Sequence, residues 1–500
     1  MLNREVKAIC PICCKPVAAK IYAEKENVIL EKSCKEHGVI KDLLSTSVEL
    51  FNDRMSLLDH ARPNKCSTEK CSEGIFKCKD HIARKSPLAF IEITTRCNMN
   101  CPVCYADAAS KGKDMPFEDV KRIIDVIQKE DPQTHIILIG GEPTIHPEFF
   151  GILDKISREH LMKRTFIATN AIKLADETFC AKVRKAGIKK FFLGFDGTDR
   201  EACKEIRGSY IAYDSLRKAL VNIRKQGKAW IILSITAVRN INVEDIPKAL
   251  DFALDNSDIV KRVMISPEVY CGRINEKEDL SKNRLTGDCI EVYLRKELNI
   301  KVVAVPLSMF FVLINPLKSM GFLKEDSWMG AVPSPICGSM GLIWKDKAGK
   351  YHSIIDFLVK DADKNVYKLG RRLKAYSENL AAGRSRFRGN IFPKILWNIF
   401  VFTYFLPKYF FILFSYLNKK SLLKIASEFI KARFNIKKFK KDFFGKRIEL
   451  FYLLGSDRYN FIWDKMPYCL THHYRVHPRT QEIIKIPGCF VFSFREELEK

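Results

Sequence analysis

The chain has little acidic charge for its size. Its 500 residues contain 59 Asp and Glu against 85 Lys and Arg, which gives a formal net charge of +26. This excess predicts a polyanionic partner, and both nucleic acid and anionic lipid headgroups fit. The aromatic–glycine signature of RNA-binding modules is missing, so an RNA-binding or RNA-modifying protein is the weaker alternative.

An export signal is missing as well. The first ten residues, MLNREVKAIC, contain no apolar stretch, which predicts a cytoplasmic location. The 17 cysteines are sparse for this length, so metal ligation is favoured over a disulfide scaffold.

Two to four structural units are expected from the length of the chain. The predicted divisions are a metal-binding module at 1–45, a cysteine-containing linker at 46–86, a catalytic core at 87–300, an extension at 301–390, an apolar and basic segment at 391–447 and a cysteine-containing hairpin region at 448–500.

The central motif is TTRCNMNCPVCYAD at 94–107, directly after an apolar strand predicted at 89–93. It places Cys97, Cys101 and Cys104 in a C-x3-C-x2-C pattern. Three thiolates at this spacing can hold three irons of a cubane and leave the fourth iron open, whereas a structural cluster normally has four protein ligands. The plain alternative is a zinc loop or part of a ferredoxin-like site.

The motif resembles that of the radical S-adenosylmethionine (SAM) superfamily. The resemblance implies that Cys97, Cys101 and Cys104 bind a catalytic [4Fe-4S] cluster, whose open iron chelates SAM. An electron from a donor such as ferredoxin or flavodoxin then cleaves SAM to a 5′-deoxyadenosyl radical. The superfamily usually has an aromatic residue just before the third cysteine, where this chain has Val103, and Tyr105 is the candidate to cover the adenine instead.

Two further groups of metal-ligating residues precede the motif. Cys10, Cys13, Cys34 and His37 form two knuckles around a hairpin-like stretch at 20–30, which predicts a zinc ribbon or a rubredoxin-like iron site with Cys14 as a spare thiol. The second group predicts an auxiliary iron–sulfur cluster, with a second zinc site as the alternative. Its members are Cys66, Cys71, Cys78 and His81.

Apolar strands alternate with helical stretches from about 87 to 300, which predicts a partial (β/α)6 barrel. The predicted strands are 89–93, 135–139, 164–168, 190–194, 230–236 and 262–266. Chemistry in such folds lies at the carboxyl ends of the strands. The residues expected there are Gly140, Gly141, Glu142, Thr169, Asn170 and Asp196.

By the same resemblance, the GGEP motif at 140–143 hydrogen-bonds the amine of SAM, with Glu142 as its anchor. Thr169, Asn170 and Asp196 are candidates for contacts with the ribose or the methionyl portion. Each of these three has a plain alternative as a turn former or a helix cap.

The pattern is weaker beyond residue 300. Strands are predicted at 302–313 and 340–344, with Cys337 in the turn between them, and Cys271 and Cys289 are placed in loops. Near the end of the chain, Cys469 and Cys489 flank a hairpin-like stretch that contains His472 and His473. These two thiols are candidates for a second auxiliary site, completed by Cys337 or Cys289.

The most apolar stretch is 391–417, which is long enough to cross a bilayer but is interrupted by Pro393, Pro407 and lysines. Both flanks are basic, whereas a spanning helix normally shows asymmetric charge. We therefore predict a segment that lies in the membrane interface, supported by the basic stretch 418–447. The alternative is a buried subdomain with a solvated basic helix.

Several blocks together resemble the tetraether lipid synthase family: CPIC…CKEHG, the block at 66–107, LIGGEPTIHP, LGFDG and the C-terminal pattern at 459–489. The resemblance implies auxiliary cubane clusters, a mononuclear metal in the N-terminal module, and carbon–carbon coupling of lipid tails after hydrogen abstraction from their terminal methyls. The alternative enzyme is a radical SAM methyltransferase that acts on a pterin or another small heteroaromatic.

Overall fold

A computed structural model describes residues 2–57, 86–130, 133–274, 284–319, 334, 336–386 and 401–499. The predicted ligands at Cys66, Cys71, Cys78 and His81 lie outside these described residues. The chain forms two compact units. One comprises Met1–Val48, Pro63–Ile290 and Tyr452–Lys500, and the other comprises Glu49–Arg62 and Glu291–Phe451.

The first unit begins with a four-stranded antiparallel sheet in the order β1-β2-β3-β4. Its strands are β1 Asn3–Ile9, β2 Pro16–Glu24, β3 Asn27–Cys34 and β4 Gly38–Ser45. Buried and exposed side chains alternate along β3, as expected for a sheet with one covered face. The predicted hairpin at 20–30 corresponds to β2 and β3. The loop between β1 and β2 carries Cys10 and Cys13, Cys34 is the last residue of β3, and His37 lies in the turn that follows it.

Six parallel strands form the core of this unit, and each lies within two residues of its predicted position. They are β5 Leu88–Thr94, β6 His135–Gly140, β7 Thr165–Thr169, β8 Lys190–Gly194, β9 Trp230–Ala237 and β10 Val260–Pro267. The C-terminal hairpin, β15 Thr471–Val476 and β16 Ile483–Pro487, extends the sheet beside β5. The resulting order is β10-β9-β8-β7-β6-β5-β15-β16, and β15 runs parallel to β5.

Helices connect the parallel strands, as a β/α barrel requires. The connecting helices are α2 Phe117–Glu130, α3 Phe149–Arg158, α4 Glu177–Lys185, α5 Arg200–Arg207, α6 Ile211–Lys225 and α7 Ile246–Asp255. In α2 the apolar residues Val120, Ile123, Ile124 and Ile127 recur at helical spacing and are almost fully buried, so they form the face that packs on the sheet. Helix α15, Gly488–Glu499, follows the C-terminal hairpin.

The second unit is mainly helical. Its helices include α1 Val48–Met55, α8 Gly287–Glu297, α9 Leu307–Ser319, α10 Ile354–Leu358, α11 Ala362–Arg386, α12 Leu406–Tyr416, α13 Lys419–Lys431 and α14 Ile436–Phe444. Its strands are β11 Val305–Pro306, β12 Gly338–Lys345, β13 Tyr351–Ser353 and β14 Arg447–Leu453. The boundaries between the two units fall within α1, α8 and β14.

The strand predicted at 302–313 is wrong over most of its length. The chain makes only the two-residue β11 there and then helix α9. A continuous apolar run does not distinguish a strand from a buried helix, and this run continues for 13 helical residues within a core cluster that also contains α11 side chains. The strand predicted at 340–344 is present as β12.

The described part of the 391–417 segment is helical, with a π-helical turn at Val401–Phe405 followed by α12. Pro407 lies in the first turn of α12, where a missing N–H is tolerated. Among the described residues, no helix combines the length and the apolar character that are needed to cross a bilayer.

Candidate functional site

The C-x3-C-x2-C loop lies at the carboxyl end of β5 and is held by backbone hydrogen bonds. Cys97 N donates to Ala109 O at 2.9 Å, and Cys104 and Arg273 exchange two bonds at 2.9 and 3.0 Å. Gly272 permits the hydrogen bond from Arg273 N to Cys104 O, because a Cβ at residue 272 would lie 2.3 Å from that oxygen. Its φ of +66° also favours glycine. The segment after β10 therefore fixes the backbone of the cysteine loop.

The side chain of Arg273 holds the same loop. Its Nε donates to Cys101 O at 2.9 Å and its Nη2 donates to Ala108 O at 2.7 Å. Its Nη1 pairs with Asp107 at 2.8 Å. One guanidinium thus uses its planar set of donors to connect three positions of the loop.

The three thiols share a partly buried environment that contains one strong cation. Burial raises the pKa of Cys97 to about 11, and the neighbouring Cys101 and Cys104 add to this shift. Burial also raises the pKa of Cys101, and Arg207 opposes the shift through charge and a hydrogen bond. Arg207 is fixed in turn by an ion pair with Asp196, which is 1% exposed. The site therefore has a cation in place to stabilise sulfur-centred negative charge.

The three thiols lie on one short loop and pack in one cluster with Met99 and Ala212. Three thiolates on such a loop can hold three irons of a cubane.

The glycines of the GGEP motif allow two strand ends to approach closely. A Cβ on Gly140 would lie 1.9 Å from Thr94 O, and a Cβ on Gly141 would lie 2.1 Å from Arg96 O. The same approach forms hydrogen bonds of 2.9 Å from Gly141 N to Thr94 O and from Glu142 N to Arg96 O. This contact joins the end of β6 to the start of the cysteine loop.

Glu142 is fully buried and accepts four hydrogen bonds from the protein. Its Oε1 accepts from Thr144 N, Thr144 Oγ1 and Thr169 Oγ1, at 3.1, 2.6 and 2.8 Å. Its Oε2 accepts from Asn170 N at 2.8 Å. Burial raises the pKa of this carboxyl, and the hydrogen bonds oppose the shift. The carboxyl group thus links the ends of β6 and β7 beside the cysteine loop.

The other predicted SAM contacts lie around the same loop. Asn170 Nδ2 donates to Asn98 Oδ1 at 2.7 Å, within the cysteine motif. Asp196 has a φ of +57° and accepts from Thr236 N at 2.8 Å, so it connects the ends of β8 and β9. Tyr105 is partly buried, and burial raises its pKa. The roles predicted for these residues in SAM binding stay predictions.

The N-terminal ligands converge as a metal site requires. Cys10, Cys13, Cys34 and His37 present ligand atoms that all lie within 4.8 Å of one another. The sulfurs of Cys13 and Cys34 are 3.8 Å apart, close to the separation of about 3.8 Å for two sulfurs each about 2.3 Å from a tetrahedral zinc. A hydrogen bond from His37 lowers the pKa of Cys34 to about 6, which favours the thiolate. These residues fit a mononuclear zinc or iron ion, and the spare thiol of Cys14 is not among them.

The C-terminal thiols form a close pair. A hydrogen bond from Cys489 lowers the pKa of Cys469 to about 5, and Cys469 Sγ lies 3.1 Å from Thr471 O. The predicted hairpin between them is present, and His472 and His473 on β15 are fully buried. Within the described part of the chain, no third metal-ligating side chain converges on the pair at the spacing of a single ion.

The remaining cysteines have different surroundings. Cys289, predicted in a loop, lies in the first turn of α8, where its N–H donates to Thr286 Oγ1 at 3.3 Å as in a helix N-cap. Its thiol lies 3.3 Å from Thr286 Oγ1 and 3.6 Å from Thr46 Oγ1. Cys271 is a buried thiol that donates to Tyr105 O at 3.7 Å. Cys337 lies just before β12 in the other unit, and its predicted grouping with Cys469 stays a prediction.

Sequence reasoning missed Arg207 and Arg273, although both contact the cysteine loop. Arg273 follows the end of β10 at Pro267, and this position was a signal that could have identified it, whereas Arg207 is the last residue of α5 and its position gave no such signal. Many other arginines in so basic a chain also follow strands, so the sequence alone did not single out these two.

Two family models match the chain. Residues 91–253 match the radical SAM superfamily, and residues 2–46 match the HMPTM N-terminal zinc ribbon domain. These matches confirm the predicted α/β fold with an N-terminal metal module, and with it the use of a [4Fe-4S] cluster and SAM.

The chain is also similar to individual proteins. It is 31% identical over 291 residues to the 7,8-dihydro-6-hydroxymethylpterin dimethyltransferase of Methanocaldococcus jannaschii, with 57% of each chain covered. It is 31% identical over 222 residues to the Fe-coproporphyrin III synthase of Methanosarcina barkeri, with 42% of this chain and 52% of that protein covered. The matches therefore span little more than half of these two relatives. The narrower resemblance to tetraether lipid synthases stays a prediction.

Among solved structures, the chain resembles Streptococcus suis SuiB bound to S-adenosylmethionine. The TM-score is 0.33 and the sequence identity is 19%, over 56% of this chain and 69% of SuiB.

Proposed function

Because the chain carries a radical SAM domain at residues 91–253, we propose that it is a methyltransferase that acts on a pterin or a comparable small heteroaromatic. The observation that carries this choice of substrate is the similarity to the pterin dimethyltransferase. The match of the N-terminal ribbon to the HMPTM domain supports it further.

In this proposal Cys97, Cys101 and Cys104 bind the catalytic [4Fe-4S] cluster. When bound, the cluster and one SAM would supply a 5′-deoxyadenosyl radical that abstracts hydrogen, and the methyl group would come from a second SAM, which leaves as S-adenosylhomocysteine. Arg207 has the planar donors that suit a carboxylate and lies beside Cys101, so it is a candidate partner for the carboxylate of SAM. Asp196 would hold Arg207 in its orientation through their ion pair.

The residues at the strand ends would position the rest of SAM. Glu142, Thr169 and Asn170 form one hydrogen-bonded group next to the cysteine loop. Glu142 Oε2 accepts one hydrogen bond from the described residues, so it retains a lone pair for the amine of SAM. Tyr105 directly follows the last cluster ligand and is the candidate to cover the adenine. The one-electron reductant would come from an external donor protein such as ferredoxin or flavodoxin.

A second candidate function is hydrogen abstraction from lipid tails, followed by carbon–carbon coupling. It is favoured by exposed apolar side chains of the second unit. Seven large ones between 404 and 434 are 41–74% exposed: Tyr404, Phe410, Phe411, Phe414, Leu423, Ile430 and Phe434. Only Glu428 and Asp442 are acidic between 401 and 447, within a run of lysines and arginines. Aromatic side chains beside basic ones suit an anionic membrane surface.

The two candidates are tested by supplying reduced, anaerobic protein and SAM with either substrate. One reaction contains 6-hydroxymethyl-7,8-dihydropterin, and the other contains anionic lipid vesicles with deuterated tail ends. A methylated pterin supports the first candidate. Deuterium in 5′-deoxyadenosine, together with coupled tails, supports the second.

Two variants sharpen this test. Cys101→Ala should remove either activity, because it removes a proposed cluster ligand. Phe411→Glu, at an exposed position of α12, should leave pterin methylation unchanged and weaken any reaction with vesicles. Absence of 5′-deoxyadenosine in every reaction of the wild-type protein would contradict both candidates.

A further inference from the structure

The two faces of the six-stranded parallel sheet differ in burial. On the face that packs against the helices, Ile91, Leu138, Phe191, Leu233 and Ile265 are all fully buried. The opposite face, called the inner face here, combines buried side chains such as Ile137 and Ile232 with others that are only partly buried. They include Phe90, Phe192, Trp230 and Met264. Since these four side chains retain some exposed surface, a ligand can contact them on the inner face.

The register of the strands brings several aromatic side chains together on the inner face. Ile137 pairs with Phe166, and Lys190 pairs with Trp230. The Phe166 ring centroid lies 5.4 Å from that of Phe192 and 5.5 Å from that of Trp230. Phe166 is buried, whereas the rings of Phe192 and Trp230 are partly exposed and can stack on a planar ligand.

Two cations lie beside these rings, toward the amino ends of the strands. Lys190 Nζ is 5.0 Å from the Phe166 centroid and 5.3 Å from the Trp230 centroid. The Arg262 guanidinium is 5.7 Å from the Trp230 centroid. No described carboxylate lies within ion-pair distance of Lys190. A cation held over aromatic rings in this way can receive an anionic group of a ligand.

The inner face leads from these cations to the cysteine loop. Lys190 begins β8 and Gly194 ends it, and four residues of strand span about 13 Å. At the upper end, a Cβ on Gly194 would lie 2.9 Å from Arg207 Nη2, so Arg207 closes that end of the inner face beside Cys101. A bicyclic heteroaromatic with a phosphorylated side chain has a length of this order.

We infer that the inner face binds a phosphorylated heteroaromatic. Its ring stacks on Trp230 and Phe192, and its phosphate lies at Lys190 and Arg262. Phe192 lies two residues nearer the carboxyl end of β8 than Lys190, so a ring stacked over Phe192 extends from Lys190 toward the cysteine loop, where hydrogen abstraction would occur. The inference rests on the proposed function and deepens it by assigning the anionic group and its partners.

Binding is measured by quenching of tryptophan fluorescence in the anaerobic full-length protein, without SAM. The probes are 6-hydroxymethyl-7,8-dihydropterin, its monophosphate and short-chain phosphatidic acid. The monophosphate should bind at least about tenfold more tightly than the unphosphorylated pterin, which corresponds to about 1.4 kcal/mol. Trp230→Phe should remove most of the quenching while leaving the affinity measured by equilibrium dialysis nearly unchanged.

Variants assign the phosphate to its proposed partners. Lys190→Met and Arg262→Met should each remove most of the preference for phosphate, and Lys190→Arg should retain it. Lys182→Met is the matched control, because Lys182 lies 5.1 Å from the Phe150 ring but belongs to α4, which is not part of the inner face. Melting temperatures verify that each variant is folded.

Equal affinity for the two pterins, or a full phosphate preference in Lys190→Met, would overturn the inference. Tighter binding of phosphatidic acid than of the pterin phosphate would overturn the assignment of the ring. If phosphate-dependent binding persists but no methylated pterin forms, the proposed function fails and the binding site stands. If methylation occurs and Lys190→Met binds normally, only the site assignment fails.

Discussion

Cys104 and Arg273 exchange two backbone hydrogen bonds, with N···O distances of 2.9 and 3.0 Å. The two residues are far apart in the sequence, and their pairing joins the segment after the last parallel strand to the loop after the first. The cysteine loop is therefore positioned by both ends of the six-stranded core. A loop that must present three thiols at fixed positions gains rigidity from such contacts.

The first prediction concerns the glycine that permits this pairing. Gly272→Ala should lower the iron and sulfide content of anaerobically reconstituted protein, because the new Cβ would lie 2.3 Å from Cys104 O and displace the loop. The control is Gly227→Ala, at a φ of +86° with no atom within 4 Å of the new Cβ. The control has a similar backbone cost of about 1 kcal/mol without the clash. Equal iron content in both variants would show that the pairing does not position the ligands.

The second prediction concerns the cation next to Cys101. Arg207→Gln should shift the reduction potential of the bound cluster to more negative values, because a positive charge that favours the reduced form is lost. The rate of 5′-deoxyadenosine formation should fall at least about tenfold, which corresponds to about 1.4 kcal/mol. Both quantities are measured anaerobically, by potentiometric titration followed by electron paramagnetic resonance and by chromatography.

Arg200→Gln is the matched control for this variant. Arg200 lies in the same helix and pairs with Asp214 at 2.9 Å, where both side chains are about half exposed. Such exposed pairs contribute little to stability. An unchanged potential in Arg207→Gln, or an equal shift in Arg200→Gln, would contradict the assigned role.

The strands of the core could be predicted from the sequence because their signal is local. Apolar runs such as the one at 135–139 recur between helical stretches, and β6 extends only one residue further, to Gly140. The ribbon ligands could be predicted for the same reason, since the spacing of Cys10, Cys13, Cys34 and His37 is characteristic of such sites.

Other features depend on contacts that sequence spacing does not encode. The role of Arg273 comes from a backbone pairing with Cys104, and nothing near residue 273 indicates this partner. The parallel pairing of β15 with β5 joins residues nearly 400 positions apart, so the C-terminal hairpin could be predicted but not its place in the sheet. The helix α9 was mistaken for a strand because its apolar residues show no periodicity.

The third prediction distinguishes two adjacent cysteines of the ribbon. Cys13→Ser should remove the mononuclear metal, because Cys13 belongs to the converging group, whereas Cys14→Ser should retain it. Zinc, iron and sulfide are each quantified by elemental analysis of the full-length protein. The sulfide content separates cluster iron from the mononuclear metal. Loss of the metal in Cys14→Ser but not in Cys13→Ser would reverse the assignment of the ligands.

The last prediction concerns His135, the first residue of β6 on the inner face. Burial, together with Lys190 and Arg164, lowers the pKa of His135 to about 4. The unfolded chain therefore binds one more proton at this residue between about pH 6.5 and pH 4, so the free energy of unfolding falls as the pH is lowered through this range.

The size of this effect can be measured by substitution. Relative to the wild type, His135→Gln should gain on the order of 1–2 kcal/mol of stability between pH 6.5 and pH 4, because glutamine has no proton to bind and solvent screening reduces the effect at this partly exposed ring. Denaturant titrations of both proteins at several pH values give this difference directly. An NMR titration of the His135 ring in the native protein provides an independent check. A stability difference that does not change with pH, or a ring that titrates near pH 6.5, would show that the Lys190 side of the inner face is well solvated and does not disfavour a further positive charge.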